Sequence, residues 1–104
     1  MSPEKAKILV ADDDNTNLRL TEAMLRLLGY QVILAHDGEE TLEKVKEVSP
    51  NLILLDTLMP KMDGFEVTRR LKGDAATEII PIVMMTTLGE VEDRVNALEA
   101  GVDD

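Results

Sequence analysis

Cysteine is missing from all 104 residues. That excludes disulfides and thiolate metal sites, and it removes any need for an oxidising compartment, so a cytoplasmic location is expected. Tryptophan is missing too, and Tyr30 and Phe65 are the only aromatic residues. The core must therefore be aliphatic, built from Leu, Ile, Val and Met. No apolar stretch approaches the roughly 20 residues that a membrane-spanning helix needs. The opening MSPEKAK is polar and lacks the apolar core of a signal peptide. Positive charge is also scarce: 11 Lys and Arg stand against 21 Asp and Glu, for a net charge of −10. Such a surface repels duplex nucleic acid and anionic membranes, and it attracts metal cations or a basic partner patch.

What is present is ordinary for a globular domain. Hydrophobic residues make up 44% of the chain, enough for one core in one domain over residues 1–104. Four short apolar runs stand out, at 8–11, 32–35, 52–55 and 82–85. None alternates with polar residues, the pattern of strands buried on both faces of a helix-covered parallel sheet. Helical spacing fills the gaps. The first helix carries Leu18, Thr21, Leu25 and Leu28 on one face, with Leu20, Met24 and Leu27 widening it. Asp14 or Asn15 suits its N-cap and Gly29 its end. A second helix is expected over 39–48, with Leu42 and Val45 inward, before the break at Ser49-Pro50-Asn51. A third starts near Gly64 and carries Phe65, Val67 and Leu71. A fourth carries Val91, Val95 and Leu98 and stops at Gly101. Strand and helix thus alternate four times, which predicts right-handed crossovers and a doubly wound α/β sheet.

Ligands in such sheets bind at the carboxyl ends of the strands. The first run is followed by Asp12, Asp13 and Asp14, the third by Asp56, and the fourth by Thr86 and Thr87. Carboxylates gathered on one rim repel one another and are best tolerated around a cation. Oxygen ligands without His or Cys suit a hard ion, Mg²⁺ first and Mn²⁺ as a substitute. A carboxylate can also act as a nucleophile toward phosphorus, with the metal neutralising phosphoryl charge and a hydroxyl bonding an oxygen. The plainer readings carry weight as well. A lone Asp after a strand is commonly a loop residue or a cap, and Asp14 fits a cap. Met84 and Met85 read as core. His36, the single histidine, reads as a solvated ring before an Asp37-Gly38 turn.

At these residues the chain resembles the response-regulator receiver family. The segments are ILVADDDNTN, LILLDTLMPKMDG, IIPIVMMTT and EDRVNALEAGVDD, in that order. The resemblance implies a flavodoxin-like fold with strand order 2-1-3-4-5, of which four strand–helix units are here. It implies that Asp56 is the phosphoacceptor and that Asp13 is a direct Mg²⁺ ligand. Asp12 would contact the metal through water, and Leu58 would offer its backbone carbonyl. Thr86 would be the switch hydroxyl, while Pro60 and Gly64 match the shaped loop after the acceptor. It further implies a sensor histidine kinase or phosphotransfer protein as donor, and an output domain beyond residue 104.

Two departures from the pattern matter. Thr87 stands where the family usually has Ala, Gly or Ser. The fifth strand, its Lys-Pro pair and the fifth helix would follow Asp104, so the receiver domain reads as C-terminally incomplete, and Lys72 cannot serve as that lysine by motif. If the polypeptide has only these residues, its fourth strand becomes an apolar edge open to self-association. An interaction module that binds partners without efficient phosphorylation is then the competing function. A dehalogenase-type phosphatase is excluded because Leu58 stands where its second Asp is required. No GxGxxG or GxxxxGK[ST] pattern supports nucleotide binding.

Overall fold

The structure is a computed structural model, and it describes residues 6–56, 59 and 62–85. Seven elements follow one another: β1 Lys7–Ala11, α1 Asn15–Leu27, β2 Gln31–Ala35, α2 Gly38–Val48, β3 Leu52–Asp56, α3 Gly64–Lys72 and β4 Ile82–Met85. The strands form one parallel sheet in the order β2-β1-β3-β4. This is the expected doubly wound α/β arrangement, with each apolar run a strand. The fourth helix expected around Val91, Val95 and Leu98 lies outside the described residues.

The register explains why uninterrupted apolar runs were needed. Leu9 pairs with Ile33 and Ile53, and Ile53 with Ile82, so these side chains share one face. There they pack with Val45 of α2 and with Val67 and Leu71 of α3. The residues between them, Ile8, Val10 and Val32, face the other way and pack on Leu18 of α1. Each strand is thus apolar on both sides because helices lie on both sides.

Aspartate starts all three described helices. The Asp14 carboxylate accepts from Thr16 N–H at 2.9 Å, Asp37 from Glu40 N–H at 2.8 Å, and Asp63 from Glu66 N–H at 2.9 Å. Each satisfies a donor that the helix leaves unpaired. At the other end of α1, Gly29 adopts φ +98°, the left-handed turn that the sequence places after that helix. The second helix begins one residue earlier than expected, at Gly38.

The apolar face of α1 is narrower than its sequence suggests. Leu18 is buried and Leu25 partly so, but Leu20, Met24, Leu27 and Leu28 are 59%, 64%, 88% and 71% exposed. Only one stripe of a helix lying on a sheet can reach it. Among the described residues, α1 is the only helix packed on that cluster.

Candidate metal and acceptor site

Parallel pairing brings the acids together. Ala11 is the register partner of Leu55, so the next residues, Asp12 and Asp56, leave adjacent strands side by side. The Asp12 backbone N–H continues the ladder toward β2 by donating to the Ala35 carbonyl at 3.1 Å. One carboxylate oxygen from each of Asp12, Asp13 and Asp56 lies within 4.8 Å of the others. Asp12 is buried, Asp56 half-buried and Asp13 exposed, so the cluster opens to solvent on one side.

Asp12 is also held in place. Its Oδ1 accepts from the Asp14 backbone N–H at 3.0 Å, leaving its second oxygen for another partner. Asp14 turns its own carboxylate to the start of α1. It is a cap and not a member of the cluster, as its position after the strand suggested. Three carboxylates at this separation repel by roughly 1 kcal/mol per pair even in a water-like dielectric. The donor set is all oxygen and the spacing lets one small divalent ion touch or approach all three, so these residues fit Mg²⁺.

Behind Asp56 the packing is tight. A Cβ on Gly64 would collide with the Asp56 backbone carbonyl oxygen and would sit 3.0 Å from Met84 Cε. Gly64 therefore approaches Asp56 more closely than any residue with a Cβ could. Buried Thr68 donates its hydroxyl to the Gly64 carbonyl at 2.8 Å and lies 3.8 Å from Met84 Sδ. Met84 packs against the apolar core, as expected, and Met59 is buried in that core as well; the side chain of Met85 lies outside the described residues. Leu58, Pro60, Thr86 and Thr87 lie outside the described residues.

Two other sequence candidates are placed elsewhere. His36 follows β2, and its ring Nδ1 sits 3.0 Å from Glu40 Oε1, the same oxygen that accepts from the His36 backbone N–H. Burial works against the Glu40 carboxylate, but the His36 N–H, ring and charge outweigh it and hold it below the usual carboxylate range. Lys72 donates to the carbonyls of Glu78 and Ile80, both at 3.0 Å, at the amino end of β4 and so away from the acidic rim. Gly38 packs against Met62, and Thr68 bonds Gly64 next to Asp56; the sequence carries no signal for either contact. An Asp-Gly pair reads as a turn, and a helical Thr as neutral, until their neighbours are known.

The whole arrangement has close counterparts. Residues 8–104 match the family described as the response regulator receiver domain. Over its full length the chain is 45% identical to the "Probable transcriptional regulator ycf27" of Cyanophora paradoxa, covering 42% of that protein. It is 46% identical to response regulator PleD of Caulobacter vibrioides, over 95% of this chain and 22% of that one. The chain thus spans less than half the length of these curated relatives. Among solved structures it superposes with a TM-score of 0.90 on the receiver domain of sensor histidine kinase PA1611 from Pseudomonas aeruginosa. That match has 34% identity and covers 97% of this chain and 83% of the other, whose structure is described with a magnesium ion coordinated in the active-site cleft. With its sheet order, its acidic rim and a family match over nearly every residue, this chain belongs to the response-regulator receiver domain family.

Proposed function

We propose that the chain is the phosphoacceptor of a two-component signalling pathway. The observation that carries this reading is the convergence of Asp12, Asp13 and Asp56 oxygens at one strand rim. In the reaction a carboxylate oxygen of Asp56 attacks the phosphorus of a phosphohistidine on a sensor kinase or phosphotransfer protein. The P–O bond forms, the P–N bond breaks, and the imidazole leaves with the electron pair and takes up a proton. Bound Mg²⁺ would supply positive charge to the transferring phosphoryl oxygens.

The chain's own residues divide the remaining work. Asp13 and Asp56 would hold the ion directly through their carboxylates. Asp12, buried and fixed by the Asp14 N–H, would reach it through water, and the Leu58 carbonyl would be the remaining protein ligand. Once Asp56 is modified, the Thr86 hydroxyl turns toward a phosphoryl oxygen, and the surface around residues 91–98 follows as a two-state element. That surface then acts on an output domain, in the cytoplasm, without this domain itself touching nucleic acid or membrane. Among the described residues no helix is long and apolar enough to cross a membrane.

Acetyl phosphate with Mg²⁺ tests the reading in the full-length natural protein. One phosphoryl group per chain, mapped to Asp56 by mass spectrometry and lost in Asp56→Asn, is the expected outcome. A label on His36 or on another Asp overturns the assignment. Partner binding with no labelling at all favours the interaction module instead.

A further inference from the structure

Met62, two residues ahead of Gly64, is braced by the first residue of α2. A Cβ built on Gly38 would run into the Met62 carbonyl oxygen, would lie 2.6 Å from Met62 Cβ, and would lie 3.0 Å from Val67 Cγ2. The first two of these are backbone or backbone-attached atoms, so no rotamer change relieves them. Either α2 or the loop must move.

The start of α2 is the better anchored of the two. Asp37 caps it through Glu40 N–H at 2.8 Å, and the fully buried Thr41 donates its hydroxyl to the Asp37 carbonyl at 2.7 Å. Two residues earlier, the Ala35 carbonyl is bonded to Asp12 N–H. Met62, by contrast, sits in a connecting segment whose far end is pressed against Asp56 itself through Gly64. A push on Met62 from position 38 is therefore passed through Asp63 to Gly64, which abuts the Asp56 carbonyl.

We propose that Gly38 is a positioning residue for the metal and acceptor site, acting through Met62: the bare Cα at 38 lets Met62 and, behind it, Gly64 pack up to Asp56. The proposal rests on the reading of Asp12, Asp13 and Asp56 as a Mg²⁺ site. Gly38→Ala should loosen that site out of proportion to its effect on folding. Gly29→Ala is the matching control, because Gly29 has φ +98° and nothing within 4 Å of a Cβ. It costs stability through backbone strain alone, with no contact to transmit.

The experiment measures Mg²⁺ affinity by calorimetry and Mn²⁺ affinity by electron paramagnetic resonance, in the full-length natural protein, beside urea midpoints for each variant. The dissociation constant should rise about tenfold in Gly38→Ala, the scale of lost support behind a metal ligand, and stay within about twofold in Gly29→Ala. Equal affinities in Gly38→Ala and the unsubstituted protein overturn the proposal and leave the metal reading standing. No saturable binding in the unsubstituted protein overturns the metal reading, and this proposal with it. A second measurement needs no variant, should Gly38→Ala fail to fold. On titration with Mg²⁺, the amide resonances of Gly38 and Met62 should shift along the same saturation curve as those of Asp12 and Asp56. Shifts at the acids with Gly38 and Met62 unmoved overturn the proposal.

Discussion

Replacing Asp56 by Asn should make the metal-free protein more stable, against the usual direction of point mutations. The magnitude follows from the cluster. Oxygens of Asp12, Asp13 and Asp56 lie within 4.8 Å of one another. At that separation two unit charges repel by about 0.9 kcal/mol in a water-like dielectric and by about 3.5 kcal/mol at an effective dielectric of about 20. Asp56 faces two such neighbours. Because Asp13 is exposed and Asp56 only half-buried, solvent screening draws the sum toward its lower end, and a gain of about 2 kcal/mol is expected. In urea that raises the midpoint by about 1–2 M at a slope of 1–2 kcal/mol per M. Mg²⁺ should narrow the gap by stabilising the unsubstituted protein, by about 1.4 kcal/mol at ten times the dissociation constant, while doing less for the variant. About 1 M salt should also shrink it, since the screening length falls to about 3 Å. A variant no more stable than the parent at low salt, or equal Mg²⁺ effects on both, would refute the electrostatic account.

Glu40→Ala should lower stability near neutral pH by about 1 kcal/mol, the scale of a lost helix-start contact. Because the Glu40 carboxyl is held below its usual range in the folded state, its contribution is present above the unfolded value of about 4.5 and is lost as pH falls through the lower folded value. Urea midpoints of parent and variant should therefore converge in acid, and a difference that persists there would count against the His36 pairing. Leu18→Ala should cost about 3–5 kcal/mol, since Leu18 is 1% exposed, whereas Leu27→Ala, at 88% exposed, should stay within about 0.5 kcal/mol; similar losses at both would place the buried stripe of α1 wrongly. The family resemblance implies that the positions two residues beyond Asp56 and Thr86 flank the path of the hydrolytic water; here they are Leu58 and Leu88, both apolar, so the phosphorylated form should lose its group slowly. Leu58→Asn should speed that loss, measured by decay of the labelled protein.

The strands were legible because nothing competes with an unbroken apolar run bounded by polar residues: Ile8, Leu9, Val10 and Ala11 suit only a strand buried on both sides. The rim followed from topology, since parallel strands leave the residues after them at one end. Asp14 was ambiguous because a cap and a metal ligand occupy the same place after a strand; only its bond to Thr16 N–H assigns it. The width of the α1 face misled because Leu20, Met24 and Leu27 are as apolar as Leu18. Periodicity reports which residues share a helix side and not how much of that side another element covers. Gly38 was illegible for a related reason: its neighbour Met62 is brought to it by tertiary packing, which no local pattern encodes.

The common direction of the strands has a further effect on how the molecule moves among its partners. Asp12, Asp13, Asp14, Asp37 and Asp56 sit at or just after strand ends on one side, and Asp63 caps α3 next to Gly64, which abuts Asp56. The opposite side receives the last turns of the helices, with Arg26, Lys46, Arg69, Arg70 and Lys72. Among the described residues the rim thus gathers six aspartates, and it presents a local negative field to solvent. Such a field draws in a diffusing positive group before contact. A cation or a basic surface is met rim first, so that a larger share of collisions begins in a usable orientation, an advantage that fades as ionic strength rises.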